Sequence, residues 1–154
     1  MLKRYREIFY GFLFGINIGA MIIVNTINSR VVLRFGSDRL LRAGCLLAAL
    51  TGLMLLATAA TGFGGLAGIA AVLFLFLGMT GMIAANAMAG AMSAFPHVAG
   101  SASALTGMLQ FAFAATAGWA VGLLADGTAL PMAAVICTTA LLAVAFNLTL
   151  VRRI

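Results

Sequence analysis

Charge is the scarcest property of this sequence. Nine Lys and Arg and three Asp and Glu make up only 8% of its 154 residues, against about a quarter in an ordinary soluble domain. A soluble fold covers its surface with polar side chains, and this chain has too few. A soluble globular enzyme is therefore excluded. A disordered tail, which combines low hydrophobicity with high charge, is excluded with it. Cysteine is scarce as well. Cys45 and Cys137 both lie in apolar runs, have no metal-ligand spacing, and give no support to a disulfide scaffold. They read as small buried hydrophobes. The lone histidine, His97, falls in a connection between apolar runs. No run contains paired carboxylates, a metal-ligand cluster or a phosphate loop, so neither enzyme chemistry nor a cofactor is expected.

What the chain has instead is apolar length. Hydrophobic residues make up 64% of it and the mean hydropathy is +1.19. A helical span needs about 20 mostly apolar residues. Five stretches satisfy this, at about residues 8–27, 43–60, 65–92, 99–124 and 130–151. The short alternating segments of a β-barrel are absent. Lys3, Arg4 and Arg6 before the first run look like the start of a signal peptide. The run is too long for that and ends without a small-residue cleavage site, so it reads as a retained span. The expected fold class is an all-α integral membrane protein with five transmembrane helices in a single domain over residues 1–154.

The net charge of +6 does not imply nucleic-acid binding, because the basic residues sit at segment ends, where they set topology. The first connection, residues 28–42, carries Arg30, Arg34, Arg39 and Arg42 with Asp38. With five spans, the face that receives it also receives Arg152 and Arg153, six basic residues in all, whereas Lys3, Arg4 and Arg6 put three on the other face. The richer face is expected to be cytoplasmic, with the C-terminus there. The connections at 61–64, 93–98 and 125–129 are short, and Pro131 falls in the first turn of the fifth span, where a missing N–H costs little.

Helices in lipid approach closely through small residues. Gly11, Gly15 and Gly19 form such a stripe, as do Gly118 and Gly122 with Ser103 and Gly107 before them, and Gly64 with Gly68. They read as packing faces; helix sliding during a transport cycle is the alternative. Amides inside spans are Asn17, Asn25, Asn86, Gln110 and Asn147. An amide facing lipid leaves its hydrogen bonds unmade, so each is expected to face a neighbouring helix or a water-filled cavity. Asn17, Asn86 and Gln110 lie nearest mid-span and are the stronger cavity candidates. Phe12, Phe14, Phe74, Phe76, Phe111, Phe113 and Trp119, with nine methionines, add an adaptable apolar surface suited to varied ligands and equally to packing or lipid.

The first connection has the pattern Asn28-x-Arg30-x-x-x-Arg34-x-Gly36-x-x-Arg39-x-x-Arg42-x-Gly44. It resembles the cytoplasmic loop that recurs in each half of major facilitator transporters. Tyr10-Gly-Phe-Leu-Phe-Gly-Ile-Asn17, Asn28-Ser-Arg30, Asn86-Ala-Met88, Phe95-Pro-His-Val-Ala-Gly-Ser-Ala-Ser-Ala-Leu105 and Gln110-Phe111 resemble the Bcr/CflA group of drug-efflux transporters. The resemblance implies twelve spans in two halves, of which this chain matches spans eight to twelve. It also implies export of varied small organic compounds, including drugs, in exchange for protons across the bacterial inner membrane. On that basis Asn17, Asn86, Gln110 and Phe111 are expected on one side of a substrate cavity. Arg30, Arg34, Gly36, Asp38 and Arg39 are expected to form a gating latch, since arginine forks reach helix ends and carboxylates and glycine permits a tight turn.

The expected function is that of the C-terminal part of a proton-coupled multidrug efflux pump, inactive without the missing first half. Its partners would be the lipid bilayer, small organic substrates and that half or another copy, and no nucleic acid. The alternative is a non-transporting membrane fragment or helper subunit. A small homo-oligomeric exporter is disfavoured, because such proteins place a charged coupling residue within a span.

Overall fold

In the computed structural model the backbone is described for residues 2–150 and the side chains for 18–149 apart from 20. Among the described residues the chain is helical with no strand. Helices α1 (Leu2–Phe35), α2 (Ser37–Thr61), α3 (Gly65–Ala94), α4 (Ala99–Leu123) and α5 (Leu130–Leu150) follow one another through short turns. Of these, α2, α3, α4 and α5 are long and apolar enough to cross a membrane among the residues searched. The expected first span, 8–27, lies within α1, but most of its side chains are outside the described residues.

The arginine connection is almost wholly helical. The sequence led us to expect a loop over residues 28–42, yet α1 continues to Phe35 and α2 begins at Ser37. Arginine, leucine and valine sustain a helix after it has left the apolar layer, so the end of a span need not be the end of a helix. Gly36 alone interrupts it, with φ +80° and ψ 155°. That conformation is open to glycine and strained for a residue with a Cβ. Arg34 lies in the last turn of α1 and Asp38 in the first turn of α2, so each charge complements its own helix end.

The tight packing is on α2. Gly44, Cys45, Ala48, Ala49, Thr51, Gly52 and Leu55 are buried along one side of it. A Cβ on Gly44 would lie 2.9 Å from Met82 Cε and 3.0 Å from Ile83 Cγ1 on α3. A Cβ on Gly52 would lie 3.3 Å from the Cys137 Cα on α5. Leu55, Val72 and Ala133 form a buried cluster where α2, α3 and α5 meet. Gly44 opposite Met82 and Leu55 beside Val72 fix α2 and α3 as antiparallel neighbours. Small residues do this work because apolar side chains gain little by leaving lipid for protein. Threonine hydroxyls are returned to their own helices: Thr51 Oγ1 donates to the Leu47 carbonyl at 2.9 Å and Thr80 Oγ1 to that of Leu77 at 2.8 Å. No polar group is then left open to the apolar surroundings by them.

The glycine stripes singled out from the sequence fare differently. Gly19, Gly107, Gly118 and Gly122 have no neighbour within 4 Å of a Cβ position, and Gly11 and Gly15 lie outside the described side chains. Gly64 and Gly68 meet each other in the α2–α3 turn, where Gly62, Gly64 and Gly65 all have positive φ. The stripe that packs two other helices, Gly44 with Ala48 and Gly52, has the same four-residue spacing as Gly11, Gly15 and Gly19 but alanine at its middle position.

The last turn is built around Asp126. Its Oδ1 accepts from the Thr128 N–H at 2.9 Å and from the Thr128 hydroxyl at 2.6 Å. These bonds, the hydroxyl's first, hold the carboxyl below its ordinary range. The Thr128 oxygen in turn accepts from the Leu130 N–H at 3.2 Å, at the start of α5.

Candidate functional site

Among the described residues helix α3 packs against α1, α2 and α4, and its sides differ in character. Toward α4 it leaves an open groove. One part, about 370 Å³, is lined by Thr80, Ile83, Ala84 and Ala87 of α3 and by Thr106 and Gln110 of α4. An adjoining part, about 330 Å³, runs from Thr106 to Phe95 past Ala91, Val98, Ser101, Ala102 and Leu105. The walls are apolar apart from the Gln110 amide, the Ser101 hydroxyl and the two threonines. Thr80 and Thr106 already donate to carbonyls of their own helices. Gln110 is exposed, and its amide, like the Ser101 hydroxyl at the far part of the groove, can offer both a donor and an acceptor to a molecule there. Phe111 follows it on the helix, 79% exposed, and presents a ring beside the groove rather than in its lining.

Toward α1, α3 is closed. Asn86 is 2% exposed, and its Nδ2 donates both to Asn28 Oδ1 at 2.7 Å and to the Met82 carbonyl at 2.8 Å. Asn28 is itself 7% exposed. A Cβ on Gly81 would stand 3.2 Å from Asn25 Nδ2 and 3.5 Å from Met21 Cε, so Asn25 rests on a glycine. Asn25 beside Gly81 and Asn28 beside Asn86 show that α1 and α3 run parallel.

The expected latch residues all cluster at one place. Arg30, Arg34, Gly36, Asp38 and Arg39 are exposed at the α1–α2 junction. The Arg34 guanidinium lies 5.7 Å from the centroid of the Phe35 ring, within reach of a cation–π contact. Gly36, with its positive φ, is the single-residue break between the two helices.

A bicyclomycin resistance protein homolog from Haemophilus influenzae (strain ATCC 51907 / DSM 11121 / KW20 / Rd) is 36% identical to this chain over 123 residues, 80% of the chain and 31% of the relative. The chain belongs to the Bcr/CflA group of major facilitator drug-efflux proteins. It spans about a third of that relative's length. No protein-family model matches it, and neither does any solved structure. Its long apolar helices make it a multi-pass membrane protein.

Within this Bcr/CflA chain, the structure does not bring the four expected substrate residues together. Gln110 and Phe111 stand on α4. Asn86 is buried on the α1 side of α3 with both amide protons in use. The Asn17 side chain lies outside the described residues. Asn25 Oδ1 and Asn147 Oδ1 are buried and have no hydrogen-bond partner among the described residues. Asn28 is the residue whose place the sequence reading missed, since it was put in the loop. A signal was available: Asn25 and Asn28 are three apart, which places both on one face of a helix continued through residue 28.

Proposed function

We propose that this chain is one wall of a Bcr/CflA-type, proton-coupled multidrug efflux transporter, formed by its spans eight to twelve, in the bacterial inner membrane. The observation that carries this reading is the character of α4. Its most apolar stretch is the least hydropathic among those of the four candidate spans, and it has no buried residue in this chain. A helix whose whole surface met lipid would be the most apolar of the set, since each polar group in hydrocarbon costs free energy. The open glycines of α4, its exposed Gln110 and its exposed Phe111 suit instead contact with further protein and with a partly aqueous cavity.

In this reading Gln110 and Phe111, with Asn17 of α1, meet the organic substrate, the amide by hydrogen bonding and the ring by adaptable apolar contact. Arg30, Arg34, Gly36, Asp38 and Arg39 form the cytoplasmic gating hairpin, and the C-terminus shares that face. Asp38 and Asp126 sit at helix ends, so proton-handling carboxylates belong to the spans that complete the transporter. Those spans come from a further segment or a second chain.

The test is export from cells that lack their own pumps of this kind. The chain produced together with the complementary spans of a Bcr/CflA transporter is expected to export a fluorescent drug, and the chain alone is not. Uphill drug movement by the purified chain alone in liposomes would contradict the one-wall reading.

A further inference from the structure

We propose that the buried Asn28–Asn86 pair is a clamp that ties the arginine hairpin to the wall of the groove, with Asn86 a positioning residue rather than a contact for substrate. The proposal rests on the transporter reading for its consequence and on the geometry for its existence.

The geometry has three parts. First, the pair is held from both sides: Asn86 gives one amide proton to Asn28 Oδ1 at 2.7 Å and the other to the Met82 carbonyl at 2.8 Å, and neither residue is more than 7% exposed. In apolar surroundings such a bond has no water to exchange with, so parting it strands an amide. Second, the contact continues one turn earlier, where Asn25 lies on Gly81, its Nδ2 3.2 Å from where a Cβ would stand. The seam between α1 and α3 therefore has a defined register. Third, each partner sits on a rod that reaches a functional place. α1 runs unbroken from Asn28 to Phe35, so Gly36 lies about 12 Å further along at 1.5 Å per residue. On α3, Ile83, Ala84 and Ala87 face Gln110 across the groove, within one turn of Asn86.

It follows that α1 cannot tilt at its arginine end without moving α3, and α3 cannot move without changing the width of the groove. A rigid link between two places that must change together is a physical route for coupling. It accounts for a buried amide on α3 that cannot greet a substrate because its donors are already taken.

Two measurements test this. In the completed transporter, Asn28→Ala and Asn86→Ala are each expected to lower the maximal export rate about tenfold, a typical coupling between sites, with KM unchanged. The double variant should be no worse than either single one, as for two halves of one interaction. Asn28→Asp keeps the accepting oxygen and should restore most of the rate. A raised KM in Asn86→Ala with a silent Asn28→Ala would mean direct substrate contact and overturn the clamp, as would losses that multiply in the double variant. The second measurement needs no transport. With spin labels on Leu33→Cys and Met92→Cys, both exposed positions, the full chain in nanodiscs should give one narrow distance distribution. Asn28→Ala or Asn86→Ala should broaden it, and an unchanged distribution would overturn the clamp. If the unaltered pair exports nothing, the transporter reading fails, and the distance measurement alone decides the clamp.

Discussion

Helices α2 and α4 are each 25 residues long, and both are rich in glycine and alanine, yet they stand in opposite relations to the rest of the chain. On α2 seven residues are buried between α3 and α5. On α4 none is, and Phe111, Phe113, Met108 and Trp119 are each at least two-thirds exposed or nearly so, at 79%, 73%, 66% and 67%. The difference does not follow hydrophobicity in the expected sense, since the most apolar stretch of the exposed helix is the less hydropathic of the two. It shows that small residues mark where a helix can be approached, whereas the neighbour that approaches it must be found elsewhere. The neighbours of α2 are in this chain, whereas α4 touches α3 and α5 only lightly and, in the proposed reading, meets the complementary spans.

The sharpest way to break that comparison is to enlarge a glycine on each helix. Gly52→Leu would drive a side chain into the backbone of α5, where even a Cβ would sit 3.3 Å from the Cys137 Cα. It is expected to lower the stability of the chain in detergent or nanodiscs by about 3 kcal/mol or more, the upper end for overpacking. Gly118→Leu, which meets open space, should stay within about 0.5 kcal/mol, as surface changes do. It should instead weaken association with the complementary spans. Thermal unfolding followed by circular dichroism checks the first part and co-purification the second. Equal losses of stability from both substitutions would erase the distinction between the helices.

Removing side-chain volume should give a smaller contrast in the same direction. Leu55 is fully buried, and Leu55→Ala leaves a void among α2, α3 and α5. The expected loss is near the low end of the usual range, about 2 kcal/mol, because transfer between lipid and protein interior adds little. Leu105→Ala on α4, 57% exposed, is expected to be nearly neutral in the isolated chain under the same thermal assay.

How far this contrast could be read from the sequence depends on which physical fact set it. The helices themselves were legible, because length and apolar content decide a span: α3, α4 and α5 begin and end within about two residues of the expected stretches. The α1–α2 hairpin was not, because hydropathy reports where lipid ends and says nothing of helix beyond it. Gly36 stood in the sequence as a turn glycine, but its single-residue break follows from the positive φ seen in the structure. Of the expected site residues, Gln110 was legible as an amide in an apolar run. Asn86 looked the same by that criterion and proves to be an interhelical bond, since sequence cannot say which neighbour an amide faces. Asn28 was hidden by the arginines that follow it.

Two milder perturbations sharpen the account of the connections. Gly36→Ala forces a Cβ onto a backbone conformation essentially confined to glycine, at a cost of about 1–3 kcal/mol. Because nothing crowds that position, the loss should come from the backbone alone, and Gly36→Asn should lose about as much as Gly36→Ala, since asparagine's tolerance of positive φ is confined to the αL region and ψ 155° lies outside it. Thermal unfolding of the two variants compares them. At the α4–α5 turn, the depressed Asp126 carboxyl contributes stability above its unfolded-state value. That contribution falls away as pH drops through the lower folded-state value. The turn should therefore loosen only in acid, and Asp126→Asn should flatten that pH dependence. Amide exchange at Thr128 across an acid titration reads it. The effect is the smallest of the set because the group is exposed.

The most direct measurement of the central claim reads what covers α4. With Trp119→Phe removing the native indole and Phe111→Trp placing one beside the groove, fluorescence quenching by brominated phospholipids reports contact with acyl chains. The indole is expected to be strongly quenched in the chain alone and protected when the complementary spans are present. Equal quenching in both preparations would mean that α4 faces lipid in either state, and would contradict the account of this chain as one wall of a larger transporter.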